Sequence, residues 1–300
     1  MIHSRFFLVS TACFTLVSAA TLLGQAPGVK VVRDRGEPFE ALITKANEYR
    51  IAGQLLSNET ITGQLARATC TLKLPKPAHR KLSSRQIWER CQQAHVRVGW
   101  HYLCTKCDKW HQNLAGGFFI TADGAIATCY HVVKPRPDIR EGYLVAANEN
   151  GQLFPVIEVL AGNELADTAI IRAKVESRAK PLALNTNVYP GDGAWCYSDP
   201  LGRSSYFSQG IVNRFFLQQR RGEESNRIEV STDWAPGSSG AAVVDDRGNA
   251  IGLVSEISSA GSPRGRSTNQ TASASSPLIV FHSASRAADV LSLVKPAAKR

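Results

Sequence analysis

The sequence predicts an all-β protein, because short apolar segments alternate with turn signals along much of its 300 residues. Residues 118–121 and 125–128 form two such segments, and Asp123-Gly124 between them is typical of a tight hairpin turn. Residues 211–232 predict a second hairpin, with a basic turn at Arg220-Arg221-Gly222. With 43% apolar and 20% charged residues, the composition is that of a globular domain rather than a disordered chain.

The start of the chain, residues 1–25, predicts an export signal. Arg5 supplies a positive charge, residues 6–23 are uncharged and mostly apolar, and Val17-Ser18-Ala19 offers a cleavage site between small residues. The expected protein is therefore exported, to a periplasm or to the medium. The alternative is a retained membrane anchor, because this apolar stretch is close to the minimum length that spans a bilayer.

An N-terminal extension, residues 26–90, is predicted to precede the β-rich part. Residues 38–57 have the apolar spacing of a helix, and residues 60–74 alternate in a way that indicates strands. Residues 83–93 predict a short helix with Ser84 as its N-terminal cap.

The β-rich part is expected to begin with a strand at residues 96–103. Near its end, residues 258–276 are polar, rich in serine and free of large apolar side chains, which predicts a disordered insertion. Residues 286–294 have helical spacing and predict a short C-terminal helix.

Three residues in separate segments are candidates for nucleophilic catalysis. Ser239 lies in a glycine-flanked turn before an apolar strand, where small neighbours let a carbonyl group approach and where two backbone N–H groups could stabilise an oxyanion. His131 follows the second strand of the first hairpin, and Asp167 directly precedes the apolar residues 168–171. A carboxylate there could orient the histidine and fix its tautomer. Each residue alone has an ordinary structural interpretation, whereas the three together are far more specific.

The segments that carry these residues resemble the three signature segments of trypsin-like serine peptidases. They read GFFITADGAIATCYHVV, ADTAIIR and APGSSGAAVVDDRGNAIGLVS, and they are more similar to the HtrA/Deg branch than to digestive trypsins. The resemblance covers roughly residues 90–295. It implies two antiparallel six-stranded β-barrels, at about residues 91–180 and 181–295, with the catalytic residues at their interface.

The same resemblance implies the role of each site residue. His131 would be the general base, Asp167 its orienting carboxylate and Ser239 the nucleophile, while the N–H groups of Gly237 and Ser239 would form the oxyanion hole. The implied activity is that of a serine endopeptidase that cleaves exported polypeptides through an acyl-enzyme intermediate. It requires no cofactor. The alternative is a catalytically silent binding module of the cell envelope that keeps the same fold.

Two departures from the family pattern are visible. Ser238 precedes the nucleophile where digestive members carry an aspartate that pairs with a freed N-terminus, so activation by N-terminal clipping is not expected. HtrA proteins usually append a peptide-binding PDZ domain, and the 45 residues after Ser255 are too few for one.

The resemblance also suggests a substrate pocket. Asp233 lies six residues before Ser239, the position at the base of the primary specificity pocket in trypsin-like peptidases. Ser255 and Glu256 are expected along the pocket wall. The two carboxylates favour Lys or Arg at the cleavage site over small apolar residues, unless a different loop length moves Asp233 to the rim.

The net charge of +10 comes from basic residues scattered along the chain. They lack the interleaved aromatic residues expected of a nucleic-acid groove, so no nucleic-acid partner is predicted. A solvated basic surface that is attracted to anionic envelope polymers is the favoured interpretation.

Six cysteines lie outside the predicted export signal, and an even number in an exported protein favours disulfides. Cys104, Cys107 and His111 also have the spacing of zinc ligands, which Cys70, Cys91 or His101 could complete. A redox-active pair is less favoured, because no βαβ unit surrounds the motif. The remaining two, Cys129 and Cys196, lie in apolar segments typical of buried thiols.

Overall fold

The computed structural model of the protein describes residues 31–32, 34, 37–220, 222–261 and 277–296. The predicted export signal and residues 262–276 of the predicted insertion lie outside this part. Every element below belongs to one compact unit, Arg33–Arg300. Within the described residues, no helix combines the length and apolarity needed to cross a bilayer.

The N-terminal extension contains three helices and one short strand: α1 Glu37–Ile51, α2 Asn58–Gln64, β1 Cys70–Leu72 and α3 Ser84–Ala94. The predicted helices correspond to α1 and α3. The prediction of strands across residues 60–74 is wrong for its first half, which is α2. There the Ser57 hydroxyl accepts a hydrogen bond from the Thr60 N–H and caps the helix, and Ile61 is fully buried.

The cap of α3 is Ser83 rather than the predicted Ser84. Its hydroxyl accepts a hydrogen bond from the Gln86 N–H, and the Gln86 side chain accepts one from the Ser83 N–H. This reciprocal arrangement is a capping box, which satisfies two N–H groups at the start of the helix.

The first barrel consists of six antiparallel strands and one helical turn. They are β2 His95–Cys104, β3 Trp110–Phe119, β4 Ala125–Thr128, α4 Tyr130–Val133, β5 Ile139–Ala147, β6 Leu153–Asn163 and β7 Thr168–Ala173. The strands close in the order β2-β3-β4-β7-β6-β5. The predicted hairpin with its Asp123-Gly124 turn joins β3 to β4, which places α4 and its histidine at the end of a short, fully buried strand.

The second barrel closes in the order β10-β13-β12-β11-β8-β9. Its elements are β8 Gly193–Ser198, β9 Tyr206–Arg220, β10 Glu223–Val230, β11 Ala242–Val244, β12 Ala250–Gly261 and β13 Pro277–Arg286, followed by α5 Ala287–Ser292 and β14 Val294–Pro296. The two barrels confirm the predicted fold. Residues 258–261, assigned by the sequence to a disordered insertion, are instead paired strand.

The extension is attached to the second barrel at two places. Strand β1 pairs in parallel with β14, with Cys70 opposite Val294. The Asn249 side chain accepts a hydrogen bond from the Ala78 N–H at 2.7 Å and donates one to the Ala78 carbonyl at 3.0 Å. Residues 70–82 therefore belong to the same folded unit as the barrels.

Candidate active site

His131 and Asp167 form a pair at the ends of neighbouring strands of the first barrel. The imidazole Nδ1 lies 2.9 Å from Asp167 Oδ2 and 3.0 Å from Oδ1, and the His131 backbone N–H donates to Oδ1 at 3.1 Å. Because a carboxylate accepts hydrogen bonds, Nδ1 carries the proton in the neutral ring. The other ring nitrogen, Nε2, is then free to accept a proton.

Asp167 is almost completely buried, at 1% exposure. Burial opposes its ionisation, but the hydrogen bonds and charge of His131 and a hydrogen bond from the Ser255 hydroxyl outweigh it and lower the pKa of Asp167 below its usual value. The Ser255 hydroxyl donates to Oδ2 at 2.6 Å. Asp167 is therefore an ionised carboxylate at neutral pH, held by three donors.

Arg227, which the sequence analysis did not identify, supports the turn that carries Asp167. This guanidinium, 1% exposed on β10, donates to the carbonyl oxygens of Ala166 at 2.8 Å and Leu165 at 3.3 Å. It also donates to the hydroxyl of Ser285, which donates in turn to the Ala166 carbonyl at 2.7 Å. Burial lowers the pKa of Arg227. Arg227 and Ser285 of the second barrel thus position the Asp167 carboxylate of the first barrel.

The Ser239 turn is packed against the first barrel at the end of β4. The Gly116 N–H donates to the Ser239 carbonyl at 2.7 Å. Gly240 has a φ of +86°, and a Cβ there would lie 2.3 Å from the Gly116 carbonyl and 3.1 Å from the backbone nitrogen of Cys129. Only glycine allows so close an approach. Among the described residues, the Ser239 hydroxyl has no hydrogen-bond partner, so it does not bond to His131.

The backbone of the Ser239 turn presents two unengaged donors. The Pro236 carbonyl accepts a hydrogen bond from the Leu201 N–H at 2.7 Å, so the Gly237 N–H, on the opposite side of this trans peptide, faces away from Leu201. Gly237 has a φ of +102°, and a Cβ there would lie 2.9 Å from the Asp199 carbonyl. In the described part of the chain, the N–H groups of Gly237 and Ser239 have no acceptor.

A buried ion pair holds the segment on which this turn rests. Asp199 accepts hydrogen bonds from Arg97 at 2.7 and 3.2 Å, and its Oδ2 lies 3.1 Å from His95 Nε2. Burial opposes the ionisation of Asp199, but His95 and Arg97 outweigh it and hold its pKa well below the usual range. The pair fixes the turn that contains Leu201, whose φ is +53°. Ser238 adds no charge there, and its buried hydroxyl has no partner within the described residues.

The three predicted pocket residues have different environments in the structure. Asp233 has an exposed side chain. Glu256 is half-buried and accepts a hydrogen bond from the Gln218 side chain at 2.6 Å. Ser255 directs its hydroxyl to Asp167, so its contact is with the dyad. Their assignment to a substrate pocket stays a prediction.

The six described cysteines are free thiols, so the prediction of disulfides is not supported. Cys91, Cys129 and Cys196 are completely enclosed in the core, where burial raises the pKa of Cys196 to about 12. The last two are therefore buried thiols, as predicted. Of the residues suggested as zinc ligands, the structure groups Cys104, Cys107 and His111 and leaves the other three outside the group.

Comparison with known proteins agrees with this architecture. Residues 115–253 match the model of the trypsin-like peptidase domain. The chain is 28% identical over 148 residues to the putative serine protease HhoA of Synechocystis sp., covering 47% of this chain and 36% of HhoA. It is 23% identical over 155 residues to the putative serine protease HhoB of the same organism, covering 50% of this chain and 36% of HhoB.

A third relative is the anti-sigma-I factor RsgI9 of Acetivibrio thermocellus, which is 24% identical over 140 residues, 46% of this chain and 19% of that protein. The matched region spans about a third or less of each of these relatives. The family-model match, residues 115–253, includes β4, β7 and the Ser239 turn. Together with the double barrel, this match shows that residues 115–253 are similar to the trypsin-like peptidase domain and supports a trypsin-like fold for the chain.

Proposed function

We propose that the protein is a serine endopeptidase in which His131, Asp167 and Ser239 act as the catalytic triad. The observation that carries this proposal is the His131–Asp167 pair, which leaves Nε2 as a proton acceptor. The Ser239 turn packs against Thr128 and Cys129, which directly precede the helix of His131. His131 takes the Ser239 proton as the hydroxyl attacks a peptide carbonyl, and returns it to the leaving amine. Water then hydrolyses the acyl-enzyme.

The N–H groups of Gly237 and Ser239 are proposed to stabilise the tetrahedral intermediate. Neither donates to another acceptor within the described residues, so both can bind an oxyanion without first breaking an internal hydrogen bond. The proposed substrates are exported polypeptides, on the strength of the export signal predicted at residues 1–25.

A fluorophosphonate probe tests the nucleophile. We expect the purified protein to be labelled covalently at Ser239, because the probe phosphonylates a serine that an adjacent base activates. The Ser239→Ala variant should not be labelled, whereas Ser238→Ala, which removes the neighbouring buried hydroxyl, should still react. Peptide mapping of the labelled protein identifies the site. Equal labelling of the wild type and Ser239→Ala would contradict the assignment.

A catalytically silent binding module is the second candidate, and one observation favours it: the Ser239 hydroxyl does not bond to His131. Such hydrogen bonds often tighten only when a substrate binds. A protein that binds unfolded polypeptide, resists labelling and leaves the polypeptide intact over long incubation would be this module.

Cleavage specificity tests the pocket assignment. If Asp233 lies at the base of the pocket, a mixed peptide library should be cut mainly after Lys or Arg, and Asp233→Ala should lower kcat/KM for those peptides. The exposed Asp192 provides a control, because Asp192→Ala removes a similar charge elsewhere on the second barrel. Cleavage mainly after Val, Ala or Leu, with no effect of Asp233→Ala, would reject the assignment.

A further inference from the structure

We propose that Cys104, Cys107 and His111 bind a zinc ion at the tip of the β2–β3 hairpin. The two sulfur atoms lie 3.2 Å apart, and Cys107 Sγ lies 3.0 Å from His111 Nε2. All three potential ligand atoms are within 4.8 Å of one another. Three side chains of the types that zinc prefers therefore converge on one point.

The separations are close to those of a tetrahedral zinc site. With Zn–S bonds of about 2.3 Å and a Zn–N bond of about 2.0 Å, ligand atoms of such a site lie roughly 3.5 to 3.8 Å apart. A disulfide requires sulfur atoms about 2.05 Å apart and makes no use of a histidine. Because His111 lies at hydrogen-bond distance from Cys107, the cluster favours a bound metal ion over a disulfide between the two cysteines. Thiolate and imidazole ligands together favour zinc over magnesium or calcium.

The sheet brings the ligands together through its register. Tyr102 lies opposite His111, and Leu103 opposite Trp110 is the last pair of the hairpin. Cys104 ends β2 just beyond this pair, and Cys107 lies in the loop that follows. The register of β2 against β5 shifts between Leu103 and Cys104. All three ligands are partly exposed, which leaves an entry path for the ion.

The fourth ligand of the proposed zinc ion would be a water molecule. Among the described residues, the other candidates are engaged elsewhere: Cys70 lies in β1, and His101 Nε2 bonds to the Asn47 side chain at 3.2 Å. Asp108, on the same loop, pairs with Arg140 at 2.8 Å.

The position of the site indicates that a bound ion would restrain the neighbouring backbone. The Thr105 N–H donates to the Asp138 carbonyl at 3.1 Å, and the Arg136 guanidinium lies 5.2 Å from the centre of the Tyr102 ring. Residues 134–138 lead from α4, which carries His131, to β5. A zinc ion that links the loop to β3 would therefore also restrain the segment that follows the proposed general base.

Metal analysis of the full chain, purified without chelators, tests the proposal. We expect one equivalent of zinc per chain. The Cys107→Ser and His111→Ala variants should each lose more than about tenfold in zinc affinity, since even the loss of an outer-sphere partner costs 10–100-fold. Cys70→Ser, which removes a partly exposed thiol outside the site, should keep its zinc. Cobalt loading should give the near-ultraviolet absorption of a thiolate-bound ion in the wild type and not in Cys107→Ser.

A second measurement uses the wild-type protein, so it tests the zinc site even if the variants do not fold. An organomercurial reagent that blocks thiols should release one equivalent of zinc from the wild-type protein, detected with a chromogenic chelator. No release, or zinc retained by both variants, would overturn the proposal. Mass spectrometry of unreduced peptides that shows a Cys104–Cys107 disulfide in metal-free protein would overturn it as well. Fluorophosphonate labelling of Ser239 is independent of these outcomes.

Discussion

Replacing Asp167 with asparagine should lower kcat by about three to four orders of magnitude, with little change in KM. The amide can donate a hydrogen bond to His131 Nδ1, which moves the ring proton to Nε2, and Nε2 can then no longer accept the Ser239 proton. Turnover of a fluorogenic peptide and the rate of fluorophosphonate labelling measure the effect. Asp246→Asn, on the surface of the second barrel, is the matched control. Equal loss in both variants would mean that Asp167 does not fix the tautomer.

The same variant has a predicted pH signature. The pKa of Asp167 is lowered in the folded protein, so its ionisation stabilises the fold above the unfolded-state pKa of about 4, and this contribution is lost as the pH falls through the folded-state value. Asparagine does not titrate. The difference in free energy of unfolding between wild type and Asp167→Asn should therefore shrink below about pH 4. Urea denaturation at a series of pH values measures it.

Replacing Asp199 with alanine should destabilise the fold and weaken the oxyanion hole together. Removing one partner of a buried ion pair costs about 3 to 5 kcal/mol, because Arg97 is left without its carboxylate. The turn that holds the Pro236 carbonyl through Leu201 also loses its anchor. We expect kcat to fall by about 10²–10³-fold, as for the loss of an oxyanion donor, with KM nearly unchanged.

The control for this second variant is a pair of similar burial that does not contact Leu201 or the Ser239 turn. Asp289 pairs with Arg286 at 2.9 Å, at the start of α5. Asp289→Ala should lower the free energy of unfolding while leaving kcat per folded molecule unchanged, and Asp199→Asn, which keeps acceptor capacity without the charge, should recover part of kcat. If Asp199→Ala turns over as fast per folded molecule as Asp289→Ala, then Asp199 only stabilises the fold and does not position the Gly237 N–H.

Sequence patterns identified the candidate site residues that lie in distinctive short segments. They did not identify the supporting residues whose partners lie far away in the sequence. His131, Asp167 and Ser239 each lie at a strand end or in a glycine-flanked turn, so short segments suffice to find them. Arg227 contacts carbonyl groups 61 and 62 positions away, and Asp199 contacts Arg97 at a separation of 102. An arginine in a strand is normally exposed, and nothing in its neighbourhood indicates burial.

Two further differences arise from tertiary context. The alternation in residues 60–74 indicated strands, but the Ser57 cap and the burial of Ile61 against the first barrel make the segment helical. Ser255 was placed along the pocket by its position in the chain, whereas its hydroxyl completes the bonding of Asp167. Two of these contacts, of Ile61 with the first barrel and of Ser255 with Asp167, are made with residues far away in the sequence, which local patterns do not indicate.

The pairing of β1 with β14 has a consequence for how the protein matures. Residues 70–72 pair with residues 294–296, so this two-stranded sheet cannot form before residue 296 has been synthesised. Closing so long a loop is also entropically costly, which places the step late in folding. Until then the N-terminal segment lacks its partner strand, and a chain still on the ribosome or in transit holds the peptidase domain without this final closure.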